Sequence, residues 1–142
     1  MGWDSIEYAG HHEQFHDGIL WILRHFLLLE ARAMESAQPG SDSAELRAFV
    51  EGWDWLCPGV VTGTDFSSFV QDTPSRWRLL LDLLQRGGDR IASFGESVPT
   101  EYLEAHTSEH GGGYTQNLPT KRLLTDIGRM CRLLSQHEPH AA

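Results

Sequence analysis

The strongest constraint on this chain is the apolar run from Ile19 to Leu29, interrupted by Arg24 and His25. Phe15, Ile19, Ile22, Leu23, Phe26 and Leu27 recur at the i, i+4, i+7, i+8 spacing that lines one face of a helix. Leu20, Trp21, Leu28 and Leu29 widen that face. A helix apolar on more than one side must be surrounded, so the pattern predicts a long central helix from Gly10 to Ser36. A bilayer span needs about 20 mostly apolar residues. This run is shorter, and we read it as a buried helix.

The remaining apolar residues fall into shorter stripes separated by breakers. Pro39 and Gly40 end the first helix, and Asp42 followed by Glu45 has capping-box spacing. Leu46, Phe49, Val50 and Trp53 make the next stripe, which Pro58 and Gly59 close. Thr64 is placed to cap a short turn carrying Phe66, Phe69 and Val70.

Thr73-Pro74 opens a helix through Trp77, Leu80, Leu81 and Leu84, which Gly87-Gly88 is expected to stop or bend. Ser97 with Pro99 starts another through Tyr102 and Leu103. Pro119 opens the last, with Leu123, Ile127, Met130, Cys131 and Leu134 on one face. No alternating run of β-branched residues is found and no fixed-period repeat. These patterns predict an all-α chain, a single domain over residues 1–142, built as a bundle of about five helices around the long N-terminal one.

Charge narrows the function. Lys and Arg total 11 against 20 Asp and Glu, a formal charge of -9. Nucleic-acid binding needs clustered cations that displace counterions, so no nucleic-acid partner is expected. The start Trp3-Asp4-Ser5-Ile6-Glu7 lacks the positive region of a signal peptide. The expected compartment is therefore the cytoplasm, with Cys57 and Cys131 reduced and no membrane contact. Lys121 is the only lysine. An acidic field so little diluted favours encounter with a basic partner.

The eight histidines carry the most suggestive chemistry. His12/His16 and His106/His110 each stand at i,i+4, the spacing that turns two ligands to one side of a helix. Glu13, Asp17, Glu104 and Glu109 lie close by in sequence. Four histidines from two facing helices are one way bundles hold zinc or a di-metal centre. The other reading makes them solvated residues of a polar patch that includes His11.

His106-Thr107-Ser108-Glu109-His110 also fits the H-x-x-E-H pattern of inverted zincins. The further acidic ligand that chemistry requires could come only from Glu138, the sole later glutamate and near a fraying terminus, and three glycines follow the motif directly. His110-Gly111-Gly112-Gly113 resembles the oxyanion loop of lipases, but no G-x-S-x-G elbow accompanies it. We therefore read no catalytic residues, no enzyme and no cofactor.

The segment Gly10-His11-His12-Glu13-Gln14-Phe15-His16 resembles the first helix of hemerythrin-like and DinB-like metal-binding bundles. That resemblance implies a metal held by His12, His16, His106 and His110. The later ligands of hemerythrins do not follow in order.

Five tryptophans are many for this length. Trp53 and Trp77 occupy core positions on their stripes, whereas Trp3, Trp21 and Trp55 are harder to bury. In Glu51-Gly52-Trp53-Asp54-Trp55-Leu56 acids alternate with indoles, a composition suited to anchoring on a cationic partner. The competing reading packs Trp55 under the loop that follows. The leading functional expectation is a small acidic helical module that blocks the active site of a basic protein, as immunity proteins and antitoxins block toxins. Its binding residues are Glu51, Asp54, Trp55, Glu101, Glu104 and Glu109. The metal-binding bundle is the alternative, and a subunit completed by oligomerisation is a third. The sequence leaves oligomeric state open.

Overall fold

A computed structural model describes residues 3–53, 63–107 and 116–140. The chain opens on a β-hairpin, β1 (Trp3–Tyr8) and β2 (His11–His16), followed by the long helix α1 (Asp17–Ala37) and α2 (Ser41–Glu51). A two-residue strand, β3 (Thr64–Asp65), leads into the short α3 (Ser67–Val70) and then α4 (Pro74–Ala92). Next come β4 (Ser97–Val98), α5 (Thr100–Thr107), β5 (Leu118–Pro119) and α6 (Thr120–Leu134).

The architecture is α+β, and the all-α expectation is wrong. The error lies at the N-terminus. Asp4, Ile6 and Tyr8 are buried while Trp3 and Glu7 are exposed, the period of two that marks a strand with one face on a core. β1 pairs antiparallel with β2, with Asp4 opposite Phe15 and Tyr8 opposite His11, and parallel with β3 on its other side.

The turn between β1 and β2 is Ala9-Gly10, with φ of 51° and 83°. Positive φ at both central residues is the geometry whose twist suits a two-residue hairpin. Phe15 fits the helical rhythm of α1 by coincidence of spacing, because it points into the core from a strand. The helix starts at Asp17, where the His16 Nδ1 accepts a hydrogen bond from the Gly18 N–H at 3.1 Å.

α4 packs against both α1 and α6, and this explains a second departure from expectation. Gly87-Gly88 neither stops nor bends it; the helix runs on to Ala92. Both glycines are buried at helix contacts. A β-carbon on Gly87 would come within 2.6 Å of the Leu27 Cδ2, and one on Gly88 would touch Ile127 at 3.6 Å. They are there for closeness of approach.

The capping box does not form either. Gly40 is the N-cap of α2, and Asp42 and Glu45 both bind the Arg76 guanidinium, tying α2 to α4. β4 and β5 pair antiparallel, Val98 opposite Leu118, and hold the entries of α5 and α6 together.

One core joins the sheet and the helices. It includes Ile6 and Phe15 from the hairpin, Phe26 and Leu27 from α1, Leu80 and Leu84 from α4, and Met130 and Leu134 from α6. Trp53 and Trp77 are buried as their stripes predict, and the Trp77 indole donates to the Leu134 carbonyl at 2.9 Å. The Tyr8 hydroxyl donates to the His137 carbonyl at 2.6 Å, fastening the C-terminal tail to the sheet. Among the described residues, no helix is long and apolar enough to cross a membrane.

Candidate functional site

The short helix α5 carries two of the expected partner-binding residues. Leu103 and Thr107 face inward and are buried, which leaves Glu101 and Glu104, one turn apart, exposed. The entry of α5 is fixed by Asn117, whose Oδ1 accepts from the Thr100 N–H at 2.9 Å and from its hydroxyl at 3.0 Å. Among the described residues, neither Glu101 nor Glu104 forms an ion pair.

Glu51 stands differently. At the end of α2 its carboxylate receives Arg47 at 3.0 Å and lies 3.8 Å from Arg32. It is committed to internal cations and is poorly placed to recruit external ones. Asp54, Trp55 and Glu109 lie outside the described residues.

Among the described residues, His12, His16 and His106 do not gather around one point. His12 and His16 lie on β2, where four residues span about 13 Å, so neither can support the other as a ligand. The His16 ring meets Trp3 edge-on at 5.7 Å and caps α1. His106 packs elsewhere, against α1, and His110 is outside the described residues. Among the described residues no group of three or more His, Cys, Asp or Glu side chains is arranged to hold a metal ion.

His106 belongs to a cluster that spacing arguments missed. Its ring lies 4.3 Å from Tyr102 and 5.4 Å from His25 of α1, while the His25 Nε2 is 2.9 Å from the Tyr102 hydroxyl. Burial, and then the charges of His106, Arg90 and Arg32, lower the His25 pKa to about 4. His25 is thus a neutral imidazole at pH 7. Burial pushes the Tyr102 hydroxyl up, so the pair is uncharged. The available signal in the sequence was the interruption of the central apolar run by Arg24 and His25.

Beside this cluster a cleft of about 480 Å³ opens along α1. Trp21, Arg24, His25, Leu28 and Arg32 of α1 line it, together with Glu51 of α2 and His106 of α5. The Arg24 guanidinium lies 4.9 Å over the Trp21 ring and donates to the Glu51 carbonyl at 2.7 Å. The Trp21 indole donates to the Thr107 carbonyl at 3.2 Å, linking the cleft to the end of α5. These groups suit binding. The Cys131 thiol is half-buried on α6 and desolvation raises its pKa, which disfavours the reactive thiolate.

In comparisons with known protein families, curated proteins and solved structures, nothing matches this chain.

Proposed function

We propose that the chain is a small acidic binding protein of the cytoplasm that neutralises a basic protein partner by covering its active site, as an immunity protein or antitoxin does. The observation that carries this reading is the unequal use of charge. Arg47, Arg76, Arg78, Arg86, Arg90 and Arg129 all pair with carboxylates of the chain itself. The cations are largely consumed within the fold. Carboxylates are left over, and on α5 Glu101 and Glu104 stand exposed on a helix whose other side is anchored to the core.

Such a pair can enter a basic groove that normally receives an anionic substrate, and surplus charge of one sign speeds the encounter. The partner is a basic protein, with a nucleotide- or nucleic-acid-cleaving toxin the type that best fits the chemistry. Capture from host lysate by the immobilised chain, compared with its Glu101→Lys/Glu104→Lys variant, tests the reading. A basic protein retained by the first and lost by the second is the expected result. Equal retention by both, or retention of no basic protein, overturns it.

A further inference from the structure

We infer that the cleft along α1 binds a small planar monoanion, an aromatic carboxylate, through Arg32 and the rings of Trp21 and His106. This site is separate from the outward carboxylates of α5 and does not depend on partner binding.

The charge count at the cleft is the first reason. Arg47 already satisfies both neighbouring carboxylates, reaching Glu35 at 2.7 Å and Glu51 at 3.0 Å. Arg32 is only loosely drawn in, 3.8 Å from Glu51 with more than half its side chain exposed. Arg24 is fixed by Trp21 and the Glu51 carbonyl. Three guanidinium groups against two carboxylates leave one positive charge, and Arg32 is the group free to turn. A guanidinium fork matches a carboxylate in two parallel hydrogen bonds.

The charge of the whole chain selects among anions. A formal charge of -9 repels a phosphate dianion more than a monoanion. The walls supply the second element of recognition. Trp21 and His106 offer rings and Leu28 an aliphatic surface, while the neutral His25, held by the Tyr102 hydroxyl behind it, adds a polar group without adding charge. A cleft of about 480 Å³ is of the size that takes a small molecule.

The test titrates benzoate, acetate and inorganic phosphate separately into the full chain, followed by calorimetry and by the ring resonances of His25 and His106. Benzoate should bind saturably and more tightly than acetate or phosphate. Arg32→Gln should weaken benzoate about tenfold, whereas Lys121→Gln, which removes the same charge at the exposed first turn of α6, should leave it unchanged. Glu51→Gln should tighten binding by removing the competing carboxylate. No saturable benzoate binding, equal affinity in Arg32→Gln, or a preference for acetate or phosphate overturns the inference. Circular dichroism of each variant separates loss of the site from loss of the fold.

Discussion

Gly87 lies directly against Leu27, so closely that a β-carbon at residue 87 would stand 2.6 Å from the Leu27 Cδ2. Leu27 is fully buried and has little room to retreat. Gly87→Ala should therefore destabilise the protein by about 1–2 kcal/mol, overpacking outweighing the gain of about 1 kcal/mol in helix propensity. In a Leu27→Ala background the same change should cost nothing or stabilise. Urea unfolding of the four proteins measures the coupling, and an equal cost in both backgrounds contradicts it.

The His25 environment predicts a pH dependence with a definite sign. Its folded pKa of about 4 lies below the ordinary histidine value of 6.5. Between these values the unfolded chain binds the proton and the folded chain does not, so stability falls as pH drops from 6.5 toward 4. His25→Gln should flatten this part of the profile relative to the parent. Thermal melts of both proteins across that range check it, and parallel profiles count against it.

The hairpin turn contains a correctable strain. Ala9 is held at φ 51°, where a side chain other than Gly, Asn or Asp is disfavoured. Ala9→Asn should stabilise by about 0.5–1 kcal/mol, and Gly10→Ala should destabilise, since Gly10 has φ 83°. Melting temperatures moving in opposite directions for the two variants are the expected outcome.

Arg129 fastens α6 to the hairpin. It donates to the Gln14 carbonyl at 2.6 Å, pairs with Glu13 at 2.9 Å and Asp126 at 3.3 Å, and lies 4.3 Å over the Phe15 ring. It also occupies a backbone acceptor of edge strand β2, which protects that edge. Arg129→Ala should cost about 2 kcal/mol and leave the buried Asp126 without this counterion. Amide exchange should quicken in β1 and β2 before the helices, and Asp126→Ala should recover part of the loss. Uniform exchange across the chain argues for a different role.

What could be read from sequence divides along physical lines. The stripes of α1, α4 and α6 were legible because burial repeats with the helical period over several turns, and Trp77 falls where its stripe puts it. The hairpin was not. In β2 only Phe15 is buried, so no alternation shows, and the Ala-Gly turn lacks the usual Asn or Asp. His12 and His16 stand at a spacing that pairs residues on a helix but not on a strand, so their apparent pairing goes with the missed hairpin. Gly87 resembled a breaker because contact with Leu27 depends on helix packing. Glu101 and Glu104 were legible as exposed acids, while the engagement of Glu51 by Arg47 and Arg32 required the tertiary fold.

The most direct measurement of the central claim is the affinity of the captured basic partner for the chain as a function of salt, with and without Glu101→Lys/Glu104→Lys. Exposed carboxylates acting across an interface are screened within about 10 Å at 0.1 M salt. Affinity should fall steeply with salt for the parent and be weaker, with a flatter dependence, for the variant. The same affinity and slope for both proteins would contradict it.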